Sequence, residues 1–159
     1  LKDANEKVNR AIKGAAIAIG GSAVIEDTPG QMPLKYNKGL AKAYEENARM
    51  FYEEKEILPY LDTTASTDMG DVSLLMPVLH SLSSGITGGL HSKDYRIVDK
   101  EDAYITPVKI FCCMLIDLLW DQAKEAESII KEFKPDLIKE QYLEMMDSME
   151  QTICYGPEK

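Results

Sequence analysis

Apolar side chains recur every three or four residues at the start of the chain. Over residues 1–19 they occupy one helical face, with charged side chains on the other. Gly20 and Gly21 follow, and glycine readily adopts the left-handed conformation in which many helices end. Residues 22–26 then form a short apolar run that stops at turn residues, which predicts a strand. A helix followed closely by a strand is half of an α/β unit.

Further helices are predicted downstream. Asn37 can cap a helix over 37–54, a long helix over 100–127 is kinked or restarted near Pro107, and a last helix covers 137–151. Residues 62–76, rich in hydroxyls and carboxylates, predict a loop that enters a short helix. The pattern predicts a buried strand over residues 78–82 and a glycine-rich loop over 83–89. The pattern as a whole predicts an α/β fold.

Charge and cysteine content exclude some classes of function and indicate the cellular compartment. The chain has 159 residues and a formal net charge of -9, which argues against a nucleic-acid surface and against a basic membrane-binding face. The apolar run 104–120 is too short and too interrupted for a membrane span. Cys112 and Cys113 are adjacent in that run, which predicts buried free thiols in a reducing, cytoplasmic compartment. Because the chain opens with Leu1 inside a helical pattern, we expect it to be a piece of a longer protein.

Residue types alone leave the chemistry open. His80 lies in an apolar run, which indicates a packed or edge histidine. His91 follows a glycine-rich loop, which by spacing alone indicates a surface histidine. A complete zinc site needs three or four ligands, and the spacing of these residue types does not supply them. Ser66 or Ser73 with His91 and Asp68 would make a serine hydrolase site. However, no nucleophile-elbow pattern surrounds either serine.

Three segments, in order along the chain, resemble one family of enzymes. They are 26–30 with 32–34 (Glu-Asp-Thr-Pro-Gly and Met-Pro-Leu), 66–73 (Ser-Thr-Asp-Met-Gly-Asp-Val-Ser) and 88–95 (Gly-Gly-Leu-His-Ser-Lys-Asp-Tyr). Together they resemble the C-terminal half of metal-dependent amidohydrolases related to aminoacylase, glutamate carboxypeptidase and p-aminobenzoyl-glutamate hydrolase, the last being the nearest branch. The resemblance covers about residues 1–150, and segment 66–73 is its most specific part.

The resemblance implies an α/β catalytic domain that binds two zinc ions, with a smaller inserted lid domain that makes the dimer contact. Residues 1–31 would be the last helix and strand of that lid, and 32–159 the C-terminal portion of the catalytic domain. His91 corresponds to the family's final metal ligand. Segment 66–73 corresponds to the lining of the substrate pocket, and helix capping is an equal alternative. The implied substrate-binding residues are Ser66, Thr67, Asp68, Gly88 and Gly89, the two glycines being equally well explained by a turn.

The resemblance also implies what this chain lacks. The family's other metal ligands and its general-base glutamate precede the lid, so no catalytic residue is assigned here. We therefore expect a fragment of a homodimeric amidohydrolase that cleaves an amide bond of an N-acyl amino acid, aminobenzoyl-glutamate or small peptide. Such a fragment would need its N-terminal part to hold zinc and would be inactive alone. The alternative is a non-enzymatic α/β interaction module derived from such an enzyme.

Overall fold

A computed structural model of the chain describes residues 2–58 and 65–156. Contacts divide these residues into two compact units. The first contains the described residues up to Gln31 together with those from Leu137 onward, and the second is Met32–Asp136. Each unit combines helices with short antiparallel strands, so the predicted mixture of α and β structure is present. The assignment of 1–31 to a lid domain and of 32–159 to a catalytic domain stays a prediction.

The helices and strands of the described chain alternate irregularly. In chain order they are α1 (Lys2–Ala18), β1 (Ala23–Asp27), α2 (Lys38–Ala48), a 3-10 turn (Glu54–Glu56), α3 (Asp68–Ser73), β2 (Ile86–Thr87), β3 (Arg96–Ile97), a π-helical turn (Glu101–Ile105), α4 (Thr106–Glu132), α5 (Lys139–Asp147) and β4 (Gln151–Tyr155). The first predicted helix and strand, the short helix after the polar loop and the last helix are therefore confirmed, with shifted ends. Residues 62–64 of that polar loop lie outside the described part of the chain.

The first unit is organised around the antiparallel pair of β1 and β4, with Ala23 opposite Tyr155 and Asp27 opposite Gln151. Asp27 Oδ2 accepts hydrogen bonds from Asn9 Nδ2 at 2.7 Å and from Gln151 Nε2 at 2.8 Å. One carboxylate thus links α1, β1 and β4. The hydrogen bond from Gln151, followed by those from Asn9 and Asn5, holds the pKa of Asp27 below its usual value.

The second unit has its core between α2 and α4. Asn37 caps α2 as predicted, because its Oδ1 accepts a hydrogen bond from the backbone N–H of Leu40 at 3.0 Å. The buried core cluster consists of Ala43 from α2 and of Met114 and Leu118 from α4. The helix ends at Ala48 rather than at residue 54. The side chain of Asn47 is buried beside this core and donates hydrogen bonds to Ala43 O at 2.9 Å and Asp117 Oδ2 at 2.8 Å.

The predicted restart of the long helix near Pro107, with Thr106 as a new cap, was wrong. α4 begins at Thr106 directly after the π-helical turn, and both Ile105 and Thr106 have helical φ and ψ angles. Pro107 lies in its first turn, where a missing backbone N–H costs no helical hydrogen bond. Near its middle, residues 120–123 leave helical geometry, and Asp121, Gln122 and Ala123 have positive φ angles. By length and composition alone, Glu101–Glu132 could cross a membrane. That single helix is weak support for a membrane span, since core helices of soluble proteins pass the same test.

Two further predictions, one of a strand and one of side-chain burial, were wrong. Residues 78–82 form no strand, and Val78 O instead accepts a hydrogen bond from the backbone N–H of Asn37 at 3.0 Å. The short strands of this region are β2 and β3, which pair antiparallel with Ile86 opposite Ile97. Cys112 is exposed and Cys113 half-buried, so the predicted pair of buried thiols is not present.

Candidate functional site

The structure joins two of the three segments that carry the family resemblance. Pro33 and Ser66 form an isolated antiparallel bridge. On either side of it, the N–H of Leu34 donates to Ala65 O at 3.3 Å and the N–H of Thr67 donates to Met32 O at 3.4 Å. Segment 32–34 therefore lies alongside the residues that lead into α3.

Gly70 and Ser73 fix the position of α3 against the segment that contains residues 32–35. A Cβ added at Gly70 would lie 1.8 Å from Met32 O, so no other residue fits there without moving the backbone. The buried Ser73 Oγ donates to Gly70 O at 2.6 Å and accepts from the N–H of Lys35 at 3.1 Å. A hydroxyl that is buried and bonded on both sides is a structural group. This disfavours Ser73 as the nucleophile of a serine hydrolase.

Thr67 and Asp68 form a small hydrogen-bonded turn at the start of α3. Asp68 Oδ1 accepts from Thr67 Oγ1 and from the backbone N–H of Met69, both at 2.9 Å. These bonds, that of Thr67 foremost, lower the pKa of Asp68, and the nearby charge of His80 adds to the effect. A carboxylate of the chain itself thus occupies the start of this short helix. The role of Ser66, Thr67 and Asp68 in substrate binding stays a prediction.

His80 is placed differently from the sequence expectation. It is exposed rather than packed, and its charge acts on the exposed Asp68. No sequence pattern indicated this electrostatic interaction, because residues 78–82 follow an irregular path instead of the predicted strand. The reading of His80 as a packing residue was wrong.

His91 lies in the turn that connects β2 and β3. It is exposed, and its φ of 59° places a non-glycine residue in the left-handed region, a conformation that costs roughly 1–2 kcal/mol. Ser92 closes the turn, since its N–H donates to Gly89 O at 3.1 Å and its Oγ donates to Asp94 Oδ1. That side-chain bond lowers the pKa of Asp94. The imidazole is therefore presented to solvent by a turn held in a defined conformation.

The two glycines before His91 have different roles. Gly88 has a φ of +90°, and a Cβ there would lie 2.4 Å from Asp94 O. Gly89 has no such constraint, because its added Cβ would meet Ser92 Oγ only at 3.5 Å, an ordinary contact. Gly88 is thus needed for the turn itself. The approach of a substrate to either glycine stays a prediction.

The residues that the structure describes do not by themselves fit a complete zinc site. Among residues 2–58 and 65–156, no group of three or more His, Cys, Asp or Glu side chains is placed to hold a metal ion. His91 could donate one neutral imidazole nitrogen to a metal, and the remaining ligands would have to come from elsewhere.

Two cavities in the described chain are lined by none of Ser66, Thr67, Asp68, Gly88, Gly89 and His91. One, of about 350 Å³, lies in the second unit beside Lys35, Ser73 and Lys134. The other, of about 430 Å³, lies in the first unit beside Lys13 and Tyr155. Comparisons with protein families, with curated proteins and with solved structures found no match to this chain.

Proposed function

We propose that this chain is the C-terminal portion of a metal-dependent amidohydrolase and that His91 is one of its zinc ligands. The observation that carries the proposal is the presentation of His91. An exposed imidazole sits at a strained position of a turn that only Gly88 permits. Strained backbone at an exposed, metal-competent side chain is typical of functional sites, where the surrounding structure maintains it.

The motif that carries most of the resemblance supports the same proposal. Segment 66–73 is fixed against 32–34 by the close approach of Gly70 and by the two hydrogen bonds of Ser73. This arrangement leaves Ser66 and Asp68 exposed at the surface. A fixed segment with exposed polar groups suits the wall of a substrate pocket.

The proposed substrate is a small amide: an N-acyl amino acid, aminobenzoyl-glutamate or a short peptide. The proposed enzyme works in the cytoplasm as a homodimer. Its N-terminal part would supply the other ligands of two zinc ions, since the described residues of this chain contain no group of three. Within this proposal, His91 contributes a neutral nitrogen donor, and the residues of 66–73 orient the substrate.

A non-enzymatic interaction module is the second candidate. It is favoured by one observation, the row of exposed apolar side chains along α4, which is typical of a surface that binds another protein.

Zinc binding and hydrolysis together test the proposal. Calorimetric titration of the 159-residue chain should show no tight, stoichiometric zinc binding, because one histidine cannot complete a site. A longer protein that includes the upstream region should contain two zinc ions per chain by elemental mass spectrometry and should hydrolyse p-aminobenzoyl-glutamate or an N-acyl amino acid. Tight binding of two zinc ions by the chain alone would contradict the proposal, as would a longer protein with neither zinc nor hydrolysis.

A further inference from the structure

The bend within α4 has a strained backbone. Trp120 leaves the helix with a ψ of 158°. Asp121, Gln122 and Ala123 follow with φ angles of 48°, 61° and 61°. Left-handed backbone is unfavourable for residues that have a Cβ, and three of them in succession are rare. The bend is therefore a conformation that other parts of the molecule have to maintain.

The sequence of the bend favours an ordinary helix. Residues 122–127 are glutamine, alanine, lysine and glutamate, all of which are strong helix formers. Sharp bends in helices usually occur at proline or glycine, and residues 118–128 contain neither. Local preference thus opposes the bend, so contacts elsewhere hold it.

Contacts at the far end of α4 supply that restraint. A Cβ at Gly39 of α2 would lie 2.7 Å from Ile129 Cγ1, so Ile129 packs where Gly39 has no side chain. After the helix, the N–H of Asp136 donates to Leu74 O at 3.0 Å, and the carboxylate of Asp136 pairs with Lys35. These contacts tie the end of α4 to the segments beside α2 and α3.

A straight α4 would carry Ile129 away from Gly39. Leu118, before the bend, belongs with Ala43 of α2 to the core cluster. In a straight helix Ile129 would lie about 16 Å farther along the axis than Leu118, since each residue adds about 1.5 Å. Gly39 lies only about 6 Å along α2 from Ala43 by the same measure. The bend is therefore what returns Ile129 to α2.

The end of α4 also forms one wall of a cavity. The cavity of about 350 Å³ in the second unit is lined on one side by residues 35–39 and Ser73. Ile129, Glu132 and residues that follow α4 line the other side. If α4 straightened, this second wall would withdraw and the cavity would open beside Ser73, whose hydroxyl fixes α3 against Lys35.

We propose that α4 is a two-state element that opens and closes this cavity. In the bent state Ile129 lies on Gly39 and the cavity has both walls. In the straight state residues 121–123 are helical and the second wall is withdrawn. The strained backbone favours the straight state, whereas the contacts of Ile129 and Asp136 favour the bent one, so changes at the two ends shift the populations in opposite directions. The proposal does not depend on the amidohydrolase assignment.

The distance between spin labels on Lys38 and Glu132 measures the two states. Both side chains are exposed, and they line the cavity from opposite sides. The labels are attached to Lys38→Cys and Glu132→Cys in a chain whose three native cysteines, Cys112, Cys113 and Cys154, are replaced by serine. Pulsed electron spin resonance should show two distances, the longer exceeding the shorter by roughly 10 Å or more.

Substitutions at the two ends of the element should move the populations in opposite directions. Gln122→Gly should raise the ratio of bent to straight chains roughly fivefold or more, because glycine accepts left-handed backbone and weakens a continuous helix. Gly39→Ala should lower that ratio by a similar factor, because the added Cβ displaces Ile129. Gly14→Ala, a control in α1 where a Cβ meets nothing within 4 Å, should leave the ratio unchanged.

The distances decide the outcome. A single distance in the chain with Gln122 and Gly39 intact would overturn the two-state proposal. It would also be overturned if Gln122→Gly or Gly39→Ala left the ratio unchanged or moved it in the opposite direction.

Discussion

The backbone N–H of Lys35 donates a hydrogen bond to Ser73 Oγ across 3.1 Å, and the same oxygen donates to Gly70 O at 2.6 Å. The side chain of Ser73 thus connects α3 to the strand-like segment before α2. The two regions lie far apart in sequence. One buried hydroxyl holds together the parts of the chain that most resemble an amidohydrolase.

Replacement of Ser73 should therefore be costly. Ser73→Ala removes the acceptor of the Lys35 N–H and a donor to the carbonyl of Gly70, which should reduce the free energy of unfolding by about 1–3 kcal/mol. Chemical denaturation followed by circular dichroism measures the loss. Ser84→Ala removes an exposed hydroxyl bonded to Asp102 and should change stability by less than about 0.5 kcal/mol. Equal effects of the two substitutions would contradict the role assigned to Ser73.

The two glycines of the β2–β3 turn should respond differently to alanine. Gly88→Ala introduces a Cβ 2.4 Å from Asp94 O at a positive φ, and should distort the turn and displace His91. Gly89→Ala adds only an ordinary contact and should be tolerated within about 0.5 kcal/mol. Amide chemical shifts of residues 86–97 report on the turn. If both variants leave those shifts unchanged, Gly88 is not required by the turn.

The carboxylate of Asp27 should make the first unit sensitive to acid. Its pKa is lowered in the folded state, mainly by Gln151, so folding favours the ionised form. The stabilisation is present above the pKa of the unfolded chain and is lost as the pH falls through the folded-state pKa. Thermal unfolding measured from pH 7 to pH 2 should show this acid loss in the native chain and a weaker one in Asp27→Ala. Glu26→Ala, the neighbouring change, should retain the native pH dependence, and an identical profile for Asp27→Ala would refute the assignment.

Local signals in the sequence predicted most helices but none of the strand pairings. The cap of α2 by Asn37 follows from residues within one helical turn, so the sequence contains it directly. The pairing of β4 with β1 depends on partners at opposite ends of the chain, and no local pattern encodes it. The break of α4 at Asp121–Gln122–Ala123 has neither glycine nor proline to signal it.

For the candidate site, as for the fold, the sequence indicated local motifs but not the contacts between distant segments. The resemblance drew attention to His91 and to segment 66–73, and the structure supplies physical reasons for Gly70 and Gly88 within them. The resemblance could not indicate that Ser73 is buried or that the charge of His80 lowers the pKa of Asp68. Both features depend on how distant segments of the chain meet in the fold. Helical spacing likewise could not distinguish the covered side of α4 from the exposed one, since both are apolar.

His80 is exposed, so its replacement cannot serve as a control that disturbs packing without touching the surface. Lys93→Ala is the better match, since it alters an exposed side chain of the same turn without removing a metal-binding nitrogen.

The proposal that His91 is a zinc ligand is tested most directly in the longer, zinc-loaded protein with His91→Ala. Removal of this donor should lower kcat/KM for p-aminobenzoyl-glutamate by roughly a hundredfold or more and should reduce the zinc content. The fold should persist, because the side chain is exposed on a turn. Lys93→Ala should retain both activity and zinc. Near-normal hydrolysis and zinc content in His91→Ala would contradict the central assignment.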